Sequence, residues 1–521
     1  MKEDSTHRIS TFSEALASGW ASATIGELIG RDGLFVDGDW VESKDQDPRG
    51  DVRLIQLADV GDGAYLNKSN RFLTNAKAIE LRCTFLKPDD LLIARMPEPL
   101  GRACIFPGDS KPCITVVDVC IVRTGVRGAS QHWLMHAINS LAVRSAIEGL
   151  QSGSTRKRIS RSNLAKLEVP SPPLPEQHRI VAKIEELFTR LDAGVEALKR
   201  IKAQLKRYRQ AVLKHAFEGK LTAEWRQTHK HELEPASALL DRIRQERHRT
   251  AKGKYKQLPP LDTSALPQLP EGWVWSNFEE LKKAEKNAIK AGPFGSSLKK
   301  ESYVPHGYKI YGQEQVIRQN PSYGNYYIGE EKYVELKSCA VKPGDILISL
   351  VGTIGRVLIL PEHSEAGIIN PRLIKLSLKE RLVDNKYIKA YIESSAVRDF
   401  FTLASHGETM EILNLGILRT LPIPVPSPTE QHKIVEEIER RFSIADQIEK
   451  TVDQSLKQAE RFRHSILRRA FEGKLVPQDH NDEPAEKLLE RIKAERTKHL
   501  AEAKAASKSR RTTHRKQMRL V

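Results

Sequence analysis

Cysteine is scarce: the 521 residues hold five, an odd number, with no C-x-x-C pair and no histidine cluster to complete a zinc tetrahedron. That excludes a disulfide framework and a zinc module. Cys83, Cys104, Cys113, Cys120 and Cys339 read as small buried hydrophobes in a reducing compartment. No apolar run approaches the roughly 18 residues of a membrane helix, and the polar opening MKEDSTHRIS has no apolar core for a signal peptide. A cytoplasmic chain with no membrane partner is expected. Acidic charge is in deficit, 67 Asp and Glu against 84 Lys and Arg, for a net charge of +17. Such an excess favours a polyanion, whose binding releases counter-ions, so nucleic acid is the first partner to consider. A basic protein that binds no nucleic acid is the competing reading.

Catalytic signatures are missing as well. There is no G-x-x-x-x-G-K-[ST] loop and no glycine-rich strand-to-helix turn for S-adenosylmethionine. Asn370-Pro371-Arg372 lacks the second proline and the aromatic of an amino-methyltransferase tetrapeptide. A nuclease set assembled from Pro88, Asp89, Asp109 and Lys111 loses Asp89 to Gly344 in the second half, where Pro-Gly-Asp suits a turn before a strand. His178 and His432 open long helices and read as structural. No catalytic residue and no metal ligand is expected.

What is abundant is repetition. FEGKL stands at Phe217–Leu221 and again at Phe471–Leu475, an offset of 254 (471 − 217). At that offset EQHRIVAKIEELF (Glu176–Phe188) falls on EQHKIVEEIERRF (Glu430–Phe442) without a gap. KPDDLLI meets KPGDILI one position out of step, and EPASALLDRI resembles EPAEKLLERI further on. The order of matches identifies a tandem duplication. Each half begins with a globular stretch that mixes short apolar runs, such as CITVVDVCIV and DILISLVG, with helical patterns, which argues an α+β domain.

A long helix follows in each half. Ile180, Ile184, Leu187, Leu191, Leu198, Ile201, Leu205, Tyr208 and Val212 step by fours and threes, interrupted at Gly194. In the second helix the seam is Ile434, Ile438, Ala445, Ile448, Val452, Ala459, Phe462 and Ile466, with Arg441 and Ser455 as polar exceptions. Sustained heptads of this kind predict a two-helix coiled coil, antiparallel if the duplicated units pack about a pseudo-two-fold axis. Glycine in FEGKL suits a helix C-cap. The expected organisation is a first globular domain over 1–175 (with an N-terminal extension over 1–15), a spacer helix over 176–221, and a connector with an amphipathic helix over 222–270. A second globular domain over 271–429, a second spacer helix over 430–475, and a C-terminal helix with a disordered basic tail over 476–521 complete it.

These motifs in this order resemble the specificity subunit of type I restriction–modification enzymes. The carriers are the paired Pro-rich-then-EQHxIV helix starts, both FEGKL endings, LPEGWVW, GPFGSSLK at Gly292–Lys299 and DGDWVESKDQDPRGDVRLIQLADVGDG. The resemblance implies two target-recognition domains, each reading one half of a split site in double-stranded DNA, with the helices fixing the spacing. It also implies partner subunits that carry the chemistry: a methyltransferase using S-adenosylmethionine and a nuclease–translocase using ATP and Mg. A free-standing DNA methyltransferase or nuclease, or a non-specific nucleic-acid-binding scaffold, are the alternatives. Candidate DNA contacts are the basic run Arg156, Lys157, Arg158 and Arg161, the residues Arg95, Arg102 and Arg356 at strand ends, Ser296, Ser297 and Lys299, and Glu408 as an acceptor for cytosine.

Overall fold

In a computed structural model, the residues described are 16–126, 128–153, 157–250, 261–264, 266–351, 354–404 and 415–517, with backbone alone at 246–250, 404, 500 and 503–517. The chain forms two compact units that cut across the linear order: one takes residues up to Leu198 together with Gln454 onward, the other Lys199–Asp453.

In the first unit β1 (Ala21–Thr24), β2 (Leu34–Asp37), β3 (Val52–Ile55), β4 (Phe72–Leu73), β5 (Leu91–Ala94), β6 (Ala103–Ile105), β7 (Cys113–Thr115), β8 (Val119–Arg123) and β9 (Glu168–Ser171) make three sheets, β1-β9, β2-β8-β5-β6 and β4-β3-β7. The second unit repeats this plan with β10 (Val274–Ser276), β11 (Ile289–Ala291), β12 (Tyr303–Val304), β13 (Tyr308–Tyr311), β14 (Tyr327–Ile328), β15 (Ala340–Val341), β16 (Ile346–Ser349), β17 (Val357–Ile359), β18 (Gly367–Ile369), β19 (Leu373–Leu376) and β20 (Ile423–Val425). Its sheets are β10-β20, β11-β19-β16-β17 and β12-β14-β13-β18-β15, so β12 and β15 are the additions. β3 pairs β7 in parallel as β13 pairs β18. β5 is apolar at every position and β16 at all but Ser349, and both are buried on both faces, which is why LLIA and ILIS show no alternation. All five cysteines are free, and burial pushes the Cys104 thiol up to about 12.

The two long helices run Leu174–Phe217 and Pro428–Phe471, each unbroken across 44 residues. Each starts two residues before, and ends four residues before, the span read from the sequence, because only the Phe of FEGKL belongs to the helix. Gly219 and Gly473 share a φ of +68, and the following amides return to the helix (Lys220 N to His215 O, 2.9 Å; Lys474 N to Arg469 O, 2.8 Å), a glycine-dependent stop.

Each unit contains the start of one long helix and the end of the other, paired antiparallel. In the second unit Lys202 meets Asp453 at 2.7 Å and Arg209 meets Asp446 at 2.6 Å, seven residues forward on one helix matching seven back on the other. In the first, Ile184 shares a core with Leu467 and Phe471, while Arg463 pairs with Asp192 and lies over the Phe188 ring. The seam differs from the expected one. Ile184, Leu205 and Val212, and Ile434, Ile438, Ala445, Val452 and Ala459, are buried, whereas Leu187, Leu191 and Leu198 are half-buried. Ile201, Tyr208, Ile448 and Phe462 are exposed, Phe462 by 52%. A residue three positions on lies about 60° further round the helix, and two helices alone leave that second line on the rim.

The repeated phrases make the joints. Trp20 Nε1 donates to Glu176 (3.0 Å) in the first unit, as Trp273 Nε1 donates to Glu430 (2.9 Å) in the second. Gln177 accepts from the Ser130 amide and Gln431 from that of Asp384, both at 2.8 Å, fixing a helix start of the globular domain to the long helix. Phe217 packs edge-on to Tyr387 and Tyr391, and Phe471 to Trp133. Thus each long helix begins on its own domain and ends in the core of the other repeat's. The Ala236 amide bonds the Gly272 carbonyl (3.0 Å) and the Ala485 amide that of Gly19 (2.9 Å), which accounts for the two Glu-Pro-Ala motifs. The expected C-terminal helix runs Ala485–Gln517 and so includes the stretch after Glu502 expected to be a disordered tail, in keeping with its alanines and lysines, both strong helix formers.

Candidate nucleic-acid interface

In the first unit the end of β2, the turn before β8 and the short helix Arg161–Lys166 (capped by Ser160) bring charged side chains together. Asp37 receives Arg95 Nη1 at 2.7 Å and lies 3.9 Å from Arg161, which also donates to the Phe35 carbonyl at 3.1 Å. Arg158 is held by backbone bonds to Ser152 and pairs with Asp118 at 3.1 Å. Lys157, Arg158 and Arg161 are exposed, so these sequence-predicted residues form one solvent-facing basic edge. Arg156 lies outside the described residues, as does Glu408.

Two arginines expected at the surface point inward. Arg95 and Arg102 are each 8% exposed. Besides Asp37, Arg95 donates to the Ile159 and Val117 carbonyls. Arg102 donates to four carbonyls, Val60, Met96, Pro99 and Leu57, and burial lowers its affinity for the proton. Carbonyl oxygens of loops inside the domain claim both guanidiniums, a structural use that takes them away from the DNA contact expected. Arg356, at the position matching Arg102, is exposed instead.

Arg356 lines a cleft of about 700 Å³ in the second unit, together with Arg398 and, from the first long helix, Lys206 and Arg209. Arg209 is engaged by Asp446 and Glu449, while Arg356, Arg398 and Lys206 face solvent. Lys206 and Arg398 escaped sequence reasoning because only the fold brings the helix beside this turn. Glu393 on the cleft wall is raised above the usual carboxylate range by burial. Ser296 and Ser297 form a tight turn, Gly295–Ser297, with Ser296 and Lys299 exposed. The rejected nuclease set is otherwise engaged: Asp109 pairs with Arg53 at 2.7 Å, Lys111 bonds the Gly50 carbonyl, and Asp89 occupies a turn with φ +69. No described helix is long and apolar enough to cross a membrane.

Exposed basic groups on loops and a cleft carried by a rigid scaffold, once per unit, suit contact with a phosphate backbone. The chain is 28% identical over 397 residues to the type I restriction enzyme EcoBI specificity subunit of Escherichia coli, covering 74% of this chain and 76% of that one. With the EcoKI specificity subunit of Escherichia coli strain K12 it shares 25% over 383 residues, 70% and 71% of the two chains. A chain from a solved structure concerning assembly and conformational transition of the type I R-M system superposes with a TM-score of 0.58 at 17% identity, over 89% of this chain and all of that one. The model of the type I restriction modification DNA specificity domain matches residues 130–207 and 276–458, half of the chain. This chain belongs to the type I restriction–modification DNA specificity family.

Proposed function

We propose that the chain is the DNA-recognition subunit of a type I restriction–modification complex, reading a two-part duplex target with one globular domain per half-site. The observation that carries this reading is the duplication itself: one α+β plan built twice, each copy with its own exposed basic residues, and joined by two unbroken helices. A helix of 44 residues is roughly 66 Å long, long enough to set a gap between half-sites. The chain supplies recognition and no catalytic group. Methyl transfer with S-adenosylmethionine and ATP- and Mg-dependent translocation and cleavage belong to partner subunits, and the complex works in the cytoplasm.

With its methyltransferase partner, the chain should direct adenine methylation to a motif with a fixed gap, and its footprint should show two protected patches. Arg158→Ala or Arg161→Ala is expected to weaken discrimination at one half-site about 10-fold and leave the other intact. Equal loss at both half-sites would overturn domain-by-domain reading, and methylation by the purified chain alone would overturn the division of labour.

A further inference from the structure

Two loops at matched positions hold an aromatic ring out in water. β2 ends at Asp37 and Gly38 follows it; β11 ends at Ala291 and Gly292 follows, 254 positions later. The Gly38 amide donates to the Val119 carbonyl at 2.8 Å, and the Gly292 amide to that of Leu373 at 2.9 Å. A Cβ on Gly38 would lie 2.2 Å from the Val116 carbonyl oxygen, and one on Gly292 would lie 1.8 Å from that of Asn370. Val119 and Leu373, like Val116 and Asn370, are again 254 apart. The backbone therefore leaves both sheets by one route, through a slot that only glycine fits. Two residues on stand Trp40 and Phe294, 71% and 87% exposed.

Single exposed hydrophobics are ordinary. The same slot filled twice by an aromatic, within loops as unlike as DGDWVESKD and AGPFGSSLK, is a different observation. Both loops are also shaped before any ligand arrives. The Ser297 amide donates to the Phe294 carbonyl at 2.8 Å, and the Asp45 carboxylate accepts from the Glu42 amide at 3.1 Å. The acidic groups beside Trp40 are engaged: Asp39 accepts from the Thr84 amide (2.8 Å), Glu42 accepts from Trp40 Nε1 (3.3 Å) and pairs with Lys44 (2.8 Å), and Asp47 accepts from the Arg49 amide (2.9 Å). After Phe294 come Lys299 and Lys300, both exposed.

We propose that Trp40 and Phe294 are base-stacking contacts, each ring lodging against a base step in the half-site read by its own domain. This rests on the DNA-recognition reading above. Every base offers a π face, and apolar rings are used as wedges between base steps of a duplex. Such a contact adds affinity and fixes the depth of approach without choosing a base. Polar neighbours are left to discriminate, and the lysines after Phe294 to take phosphates.

The test uses the chain in complex with its methyltransferase partner and duplexes carrying both half-sites, with 2-aminopurine placed at one base at a time. Trp40→Ala and Phe294→Ala should each weaken binding about 10-fold or more and abolish the fluorescence response in one half-site only. Trp40→Phe and Phe294→Trp should retain both, and melting should be unchanged because neither ring is buried. If both alanine variants bind within about twofold of wild type and keep the fluorescence response while two patches stay protected, the stacking role is wrong. A wild-type complex lacking two protected patches would instead defeat the DNA-recognition reading.

Discussion

Glu430 offers the sharpest test of how each domain is fastened to its long helix. It is 2% exposed and accepts from Thr222 Oγ1 (2.7 Å), Arg226 Nε (2.8 Å) and Trp273 Nε1 (2.9 Å). Arg226 also donates to the Gly219 carbonyl and sits 5.4 Å from the Trp273 ring centre. Arg226→Met would leave a buried carboxylate without its counter-charge, a change that costs about 3–5 kcal/mol in dry interiors. The Arg226 side chain is 17% exposed, so water offsets part of this and about 2–3 kcal/mol is expected. For a unit of this size that lowers the melting temperature by roughly 4–12 °C. Arg226→Met with Glu430→Gln should recover a large part of the loss, since no uncompensated charge then remains. Differential scanning calorimetry of the four proteins closes the cycle. If Arg226→Met melts within about 1 °C of wild type, or Glu430→Gln brings no recovery, the joint is not held as argued.

The first unit already carries a natural version of this change. Val476 and His480 stand where the second has Thr222 and Arg226, and Glu176 keeps Trp20 while its Oε1 has no partner. Burial raises the Glu176 carboxyl above its ordinary range. A raised folded pKa means that this group's stabilisation is complete below the unfolded value and fades as pH rises through the folded one.

Two further outcomes are expected. Phe471→Ala should destabilise the first unit by about 3–5 kcal/mol in urea unfolding, because it empties the space beside buried Trp133; a loss under about 1 kcal/mol would contradict the docking described. His136 is buried, its Nε2 unpartnered, and burial lowers its pKa to about 4, so its contribution is intact above pH ~6.5 and lost as pH falls towards 4, by roughly 3 kcal/mol. His136→Met should flatten the acid limb of stability between pH 7 and 4, and parallel wild-type and variant curves would refute the assignment.

The long helices were legible because a seam of nine positions over five heptads leaves little else for the chain to be. Its rim was not: Ile448 and Phe462 satisfy the spacing, and spacing alone cannot say how wide a strip a partner covers. Arg95 and Arg102 were misplaced for a related reason. An arginine satisfied by interior carbonyls and one waiting in solvent look alike beside a strand. The EQ pairs were visible as repetition, but their partners Trp20 and Trp273 lie 156 and 157 residues away, beyond any local pattern. Lys206 and Arg398 belong to one cleft only once the fold is known.

The exchange of helix ends has a consequence for biosynthesis. The hydrophobic slot beside Trp133 is filled by Phe471, so translation must run a further 338 residues (471 − 133) before that core can close. At about 5–20 residues per second the wait is on the order of 20–70 s. Throughout it the nascent first domain carries an open apolar groove, and its missing wedge emerges from the ribosome only after the whole second domain has been made.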